Sequence, residues 1–470
     1  MWLLLPSLLV LIVLKTDFLP QVARFRETRF IKDTDEMVLT VPYTGFDNAR
    51  WQQHPHDPEA VQDYNQQNQI LATNGPKDSS SINSDVGAST SKLTCNFSNP
   101  HSDTCTMEGD LRIHGKSAIV YVVAASTHRP ENSTFTVRPY TRKWEQETMS
   151  RIREVTMRSL PPAFSFIIPP KCTVRHDVPA VVFSTGGCSG NFFHAMSDLI
   201  VPLYITSREY NGRVQFLITD YQPEWVDKFR PILAALSMYP AIDFDADTAV
   251  RCFPSAHVGL ENHNKMLAID PSLSRNGYTM MGFRDFLRSV FSLQRPWSKP
   301  ISRSSGQRPR LKGADEREAD AITAMENLGL EVVAARPDDV SDMGHFAGVV
   351  NSCDVMVGVH GAGLTNMVFL PHNGTVVQIV PWGGMKWACW YAFGEPVQGM
   401  GLRYVEYEAT AEETTLKEKY PRDHPVFTDA MSIHRQGKAW VTFLDGQNVT
   451  LDIDRFRGVM HQVFLSITTE

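Results

Sequence analysis

The sequence predicts an α/β fold divided between two domains. Three observations carry this. At 470 residues the chain can bury two hydrophobic cores. After residue 180, short runs rich in Val, Ile and Leu alternate with helix-period segments, the rhythm of strands joined by crossover helices. One strand-to-helix junction, NSCDVMVGVHGAGLTNMVFLP at residues 351–371, is built around glycines.

That junction organises the second domain. Residues 353–359 read as a buried strand, and the chain then turns through His360, Gly361, Ala362 and Gly363. A helix over 364–370 follows and stops at Pro371. Glycines let the main chain approach a ligand closely, and free N–H groups at a helix start favour an anion. Tight packing alone explains the glycines equally well. His360, Thr365 and Asn366 add donors that a packing turn does not need. The stretch has neither the G-x-G-x-x-G spacing nor a P-loop lysine, so a diphosphate site rests on the chemistry of the turn.

Composition narrows the class. Hydrophobic residues at 42% and charged residues at 21% are ordinary for a globular protein. A net charge of −7 argues against nucleic acid as a general partner. Seven cysteines leave at least one thiol unpaired within the chain, and Cys353 in the buried strand is the expected one. Cys95 and Cys105 suit a disulfide in an oxidising compartment. Sequons at Asn96, Asn132, Asn373 and Asn448 point the same way, to a luminal or secreted body.

The chain opens with an apolar, uncharged run over residues 1–14, interrupted at Lys15, Thr16 and Asp17. Residues 1–20 are expected to be an uncleaved membrane anchor; a cleaved signal peptide is the competing reading. The flanking cations Lys15, Arg24, Arg26 and Arg29 all follow the run, which by charge alone places the body in the cytosol. Sequons and cysteines favour the lumen. Residues 21–91 form a flexible stem, because the Gln, Asn, Ser and Asp of 52–91 bury too little surface to offset ordering.

Residues 92–293 are the first lobe. Strands are expected at 117–125, 180–183 and 214–218, and helices at 144–156, 225–236 and 284–293. Gly186, Gly187 and Gly190 form a second glycine loop, followed by a helix over 191–204. On it His194 and Asp198 stand four apart and share a face. A carboxylate beside an imidazole orients it and raises its basicity, which suits a general base. A surface polar pair, or a histidine bonded within the core, fits the spacing as well. Residues 243–247 (DFDAD) contain D-x-D, which suits a Mn²⁺ or Mg²⁺ site on a nucleotide diphosphate or, equally, an acidic surface loop.

Residues 294–309 read as a basic, Ser/Pro-rich linker and 310–445 as the second lobe. Strands are expected at 331–334, 353–359 and 375–379, and a helix at 343–350. The ends of parallel strands are where ligands bind. Of Trp382, Trp387 and Trp390, core filling is the expected role for two, and stacking on a sugar or base the alternative. Residues 446–470 carry apolar positions at helical spacing and are expected to pack back on the first lobe.

VGVHGAGLTN followed by FLP resembles the signature of the plant family 61 glycosyltransferases, the group of xylan arabinosyltransferases and xylosyltransferases. The likeness runs from about residue 95 to about 464. It includes CNFSNPHSDTCTMEGDLR at 95–112, the G-G-x-x-G-N-x-F-H-x-x-x-D pattern from Gly186 to Asp198, and VGLENHNK at 258–265. The resemblance implies two facing Rossmann-like lobes of the GT-B type, in a single-pass type II Golgi membrane protein with a luminal body. It implies an inverting enzyme that moves a pentose from UDP-arabinose or UDP-xylose to xylan without a metal cofactor.

On that reading His194 and Asp198 are catalytic. His360, Gly361, Ala362, Gly363, Leu364, Thr365 and Asn366 hold the nucleotide sugar, with Glu413 on a ribose hydroxyl. Gly187, Asn191 and His263 face the acceptor. One departure stands out: relatives open the second lobe with a strand and an Arg-rich turn, whereas here Arg310, Leu311, Lys312 and Gly313 lead directly into a helix over 314–328. An inactive, carbohydrate-binding or scaffold homologue is therefore the alternative.

Overall fold

Runs rich in Val, Ile, Leu and Phe form the buried parallel strands of two sheets. The computed structural model of the chain describes residues 8–10, 91–123, 133–160, 168–263, 265–298, 316–334 and 342–467. A first short strand, β1 (Leu8–Val10), belongs to the second lobe. The first lobe holds β2 (Lys92–Asn96), β3 (Thr104–His114), β4 (Ile119–Val123), β5 (Thr134–Val137), β6 (Val155–Leu160), β7 (Val174–Arg175), β8 (Ala180–Ser184), β9 (Gln215–Thr219), β10 (Ile242–Asp243) and β11 (Val250–Val258). They make one ten-stranded sheet, ordered β10-β9-β8-β11-β3-β4-β6-β5, with β2 beside β3 and β7 beside β11.

Strands β8, β9 and β10 run parallel, with Ala180 opposite Gln215 and Leu217 opposite Ile242. Every residue of β8 and β9 is buried, as parallel strands covered on both faces require. Much of the remainder is antiparallel, led by β11 against β3, with a register shift between Phe253 and Ser255. The first lobe is thus a crossover sheet with a long antiparallel extension. The sequence conceals that extension, because Glu108, Asp110 and Arg112 on β3 stand among its apolar residues. The helix expected over 144–156 shrinks to Gln146–Ser150, and the chain then enters β6.

Cys95–Cys105 joins directly opposed residues of β2 and β3, as expected. A second disulfide, Cys172–Cys252, ties the segment before β7 to β11. Cys353 is free and buried, together with Cys389, and Cys188 is free and partly exposed.

In the second lobe β13 (Val355–Val359), β14 (Thr375–Val380) and β15 (Arg403–Glu408) are parallel, with Val355 opposite Thr375 and Thr375 opposite Arg403. Strand β12 (Val332–Ala334) pairs in parallel with β1, which also lies beside β13. Three residues of the run expected to be the membrane anchor therefore add a strand to this lobe. The rest of that run, the stem up to residue 90, and Arg310 to Gly313 lie outside the described residues. Among the described residues no helix is long and apolar enough to cross a membrane.

The C-terminal helix Ile453–Ile467 corrects one expectation. It packs on the second lobe, not the first. Phe456, Met460, Val463 and Phe464 form one stripe and share a core with Met325, Val355, Val357, Val377 and Ile379. The stripe covers a sheet face that would otherwise meet water.

The lobes share a core at their junction. Phe193, Met196 and Leu199 of the first lobe cluster with Met356, Leu364, Met367 and Phe393 of the second. Arg284, on helix Met280–Val290, is only 1% exposed there. It donates to the carbonyls of Val368 (3.2 Å), Leu370 and Met400. Burial, with neighbouring Arg288, pulls this guanidinium down to about 9. Replacing Arg284 by Met leaves buried carbonyls without a donor, at about 1–3 kcal/mol for each acceptor stranded. Urea denaturation of Arg284→Met is expected to show a loss of about 3 kcal/mol or more; an unchanged midpoint and slope would contradict the clamp.

Candidate active site

The first glycine loop leaves β8 at its C-terminal end. Gly187 has φ +64°, and a Cβ there would lie 2.7 Å from the Tyr140 ring. The glycine lets Tyr140 lie against the loop. Asn191 caps the helix that follows, its Oδ1 accepting from the N–H groups of Phe193 (2.9 Å) and His194 (3.4 Å). The helix runs from Phe192–His194 through a π-helical turn, Ala195–Ile200, into Val201–Ser207. Pro202 lacks the N–H that would bond the Asp198 carbonyl in an α-helix, and the Thr141 hydroxyl donates to that carbonyl instead, at 2.6 Å.

This geometry turns His194 and Asp198 into a buried cluster. His194 Nδ1 is 3.1 Å from Asp198 Oδ2 and 3.1 Å from Nη1 of Arg142. Tyr140 Oη donates to Asp198 Oδ2 at 3.2 Å, and Ser197 Oγ to Asp198 Oδ1 at 2.8 Å. Arg142 Nη1 reaches Asp198 Oδ2 at 3.4 Å, and its Nε donates to Glu145. Tyr140, Arg142, Glu145, His194 and Asp198 are all buried. Burial raises the Asp198 pKa, but Arg142, His194 and the hydrogen bonds outweigh it and bring the carboxyl to about 2. Nearby His101 is pushed down to about 4 by burial, which exceeds the upward pull of Asp198.

Sequence reasoning missed Arg142, Tyr140 and Glu145. Arg142 stands 52 residues before His194, in a stretch with no period. The Arg–Glu spacing of three was a faint signal, equally common on solvated helices.

The second glycine turn leaves β13 at its C-terminal end. The helix after it is a 3₁₀ helix, Ala362–Phe369, tighter than the α-helix expected. Its first bond runs from Leu364 N–H to the Gly361 carbonyl at 3.1 Å, so the N–H groups of Ala362 and Gly363 precede it. His360, Gly361, Ala362 and Gly363 are partly exposed, whereas Leu364, Thr365 and Asn366 are buried. Leu364 belongs to the junction core. Asn366 Nδ2 donates back to the Gly363 carbonyl at 2.9 Å and so holds the turn. Thr365 Oγ1 is buried with no partner among the described residues.

Gln378 Nε2 lies 2.7 Å from His360 Nδ1, and Tyr404 Oη donates to Gln378 Oε1 at 2.7 Å. With the amide so assigned, His360 Nδ1 accepts and the ring proton sits on Nε2. Burial pushes the His360 pKa down to about 4, so the ring is neutral above that pH.

The two motifs meet. Helix Phe192–His194 lies against the 3₁₀ helix Ala362–Phe369. A chain of rings runs between them: His194 to Phe193 at 5.5 Å, Phe193 to Phe393 at 5.3 Å, and Phe393 to His360 at 5.5 Å.

Other expected residues serve the fold. Glu413 accepts from Tyr407, from Thr410 N–H (2.9 Å) and Asp452 N–H (2.7 Å), and pairs with Arg455. Its carboxylate anchors the start of the C-terminal helix, which leaves little capacity for a ribose hydroxyl. His263 is buried, and its Nδ1 accepts from Asp270 N–H at 3.2 Å. In the D-x-D stretch, Asp243 closes a local turn onto Asp245 N–H (3.0 Å), Asp245 pairs with Arg153 (2.5 Å), and Asp247 pairs with Arg251 (2.7 Å). These carboxylates do not converge as a set of cation ligands. Trp382 donates to the Val426 carbonyl at 3.1 Å, and Trp387 is exposed and stacks on Tyr391. Asn96, Asn373 and Asn448 are exposed, and Asn132 lies outside the described residues.

Two α/β lobes that each turn a glycine-rich strand end toward a common junction define a two-lobed α/β class, with a buried imidazole–carboxylate cluster facing a helix start. The chain belongs to the Glycosyltransferase 61 family. Residues 192–377 match that family. The chain is 42% identical over 382 residues to the alpha-1,3-arabinosyltransferase XAT2 of Oryza sativa subsp. japonica, covering 79% of this chain and 64% of the relative. It is 41% identical over 392 residues to the beta-1,2-xylosyltransferase XYXT1 of the same plant, covering 78% and 83%. It is 34% identical over 389 residues to the xylan glycosyltransferase MUCI21 of Arabidopsis thaliana, covering 78% of each. The bacterial iron-containing dodecameric glycosyltransferase TibC is a faint structural likeness, with a TM-score of 0.29 at 10% identity over 80% of this chain and 97% of that one.

The Asp198 carboxyl links this cluster to pH. Its folded pKa, about 2, lies below the ordinary 3.8, so its contribution is present above about pH 4 and lost as pH falls toward 2. The loss is about 2 kcal/mol. Urea midpoints between pH 5 and pH 2 are expected to fall more steeply for the wild type than for Asp198→Asn; parallel slopes would contradict the assignment.

Proposed function

We propose that this protein is an inverting glycosyltransferase that moves a pentose from a UDP-sugar, UDP-arabinose or UDP-xylose, to a hydroxyl of a xylan acceptor. The observation that carries the reading is the contact between the helix bearing His194 and the glycine turn at Ala362. The names of the relatives supply the substrate class.

In the proposed step His194 Nδ1–H donates to Asp198, which leaves the lone pair on Nε2. Nε2 takes the proton of the acceptor hydroxyl as that oxygen bonds the anomeric carbon from the face opposite UDP. The bond from that carbon to the diphosphate oxygen breaks, and its electron pair leaves on UDP. The N–H groups of Ala362 and Gly363, with His360 Nε2–H, receive the charge where it develops. The imidazolium formed at His194 is stabilised by Asp198, while Arg142 keeps that carboxylate ionised. The step uses no metal.

The test is transfer of labelled pentose to xylo-oligosaccharides. His194→Ala is expected to lower kcat by about 10²–10⁴, and a variant at full rate removes His194 from the mechanism. The departure at Arg310 to Gly313 motivates a second reading, a carbohydrate-binding or scaffold homologue. Titration with UDP separates the two, since the scaffold binds acceptor alone.

The reading includes a Golgi protein with a luminal body. The two disulfides and the exposed Asn96, Asn373 and Asn448 support it. Peptide N-glycosidase is expected to lower the apparent mass of the protein purified from plant membranes. No shift would argue against a luminal body.

A further inference from the structure

The first lobe carries a groove of about 900 Å³ that the proposed transfer does not use. Trp144, Arg138, Lys143, Asp103, Gln146 and Glu154 are among its lining residues. Trp144 is 37% exposed, and its ring is buttressed from within. The Arg142 guanidinium carbon lies 5.0 Å from the ring centre, and the His101 ring meets it at 4.4 Å. Arg142 is the same residue whose Nη1 stands 3.1 Å from His194 Nδ1. One buried guanidinium thus separates an exposed tryptophan from the cluster in which the base is placed.

The wall chemistry selects a ligand class. Lys143 pairs with Asp103 at 2.6 Å and Arg138 with Glu154 at 2.8 Å. Both cations on the wall are matched by carboxylates of the same wall, so the groove offers no surplus positive charge to an anion. It offers an indole surface among hydrogen-bonding groups. A pyranose ring has the complementary make-up, a C–H face for the indole and equatorial hydroxyls for the rim. The volume lies toward the upper end of the range for small-molecule pockets and suits several sugar rings in a row.

We propose that this groove binds a neutral pentosan chain on Trp144, holding the acceptor polymer at a distance from the hydroxyl that reacts. This rests on the acceptor class inferred above. Trp144 is then an acceptor-binding residue outside the reacting centre.

The experiment is titration calorimetry of the full chain with xylohexaose, and separately with UDP, for the wild type, Trp144→Ala and Trp144→Phe. Trp144→Ala is expected to weaken xylohexaose binding about tenfold, equivalent to loss of one stacked aromatic contact. Trp144→Phe keeps a ring and is expected to stay within about threefold. Unchanged UDP affinity in both variants shows that the fold and the junction are intact. If Trp144→Ala binds xylohexaose as tightly as the wild type does, the groove is not the site, and the proposed transfer stands. If the wild type binds UDP but no xylohexaose, the pentosan acceptor falls, and the groove assignment with it.

Discussion

The structure depends on a cation held where no water can reach it. Arg284 projects from the last helix of the first lobe and binds the carbonyls of Val368, Leu370 and Met400 in the second. Two of these lie at the C-terminal end of the glycine-turn helix, where carbonyls lack partners within the helix. One side chain therefore terminates the glycine-turn helix and locks it to the lobe that carries His194. A guanidinium suits this task because its planar fork presents several donors at once. The apolar junction around Phe193, Leu364 and Phe393 excludes water from these bonds and strengthens them.

The His194 cluster shows how burial sets chemistry. A carboxylate removed from water would ordinarily take up a proton. Asp198 remains ionised because Arg142, the imidazole and the Ser197 hydroxyl favour its charged form. Arg142 in turn is balanced by Glu145. The arrangement is costly to assemble and self-consistent once formed, since removing either partner would strand the other. The Thr141 hydroxyl, donating to the Asp198 carbonyl, ties this helix to the Tyr140–Arg142 stretch.

Much of the fold was legible. The runs at 180–183, 214–218, 353–359 and 375–379 became strands within a residue or two, because a parallel strand buried on both faces is mostly hydrophobic. The pairing of His194 with Asp198 followed from helical spacing. The partners of that pair did not, since Arg142 and Tyr140 arrive from a distant loop and leave no local pattern. Thr365 and Asn366 read as donors facing a ligand; both are buried, and Asn366 donates to the Gly363 carbonyl. The partners of Glu413 leave no local pattern for a related reason. Its role depends on Asp452 and Arg455, which only the folded C-terminal helix brings to it.

By itself the sequence determined many local conformations: which apolar runs are strands, where glycines turn the chain, and that Cys95 and Cys105 suit a disulfide. Strands and turns follow from side-chain periodicity and backbone freedom, which act between near neighbours; that Cys95 and Cys105 stand opposite each other on β2 and β3 was decided by the fold. Tertiary structure decided which residues meet. It sent the C-terminal helix to the second lobe, where an apolar sheet face lay open, and it set Arg142 behind both Trp144 and His194. Such choices rest on long-range burial and charge compensation, which no window of sequence contains.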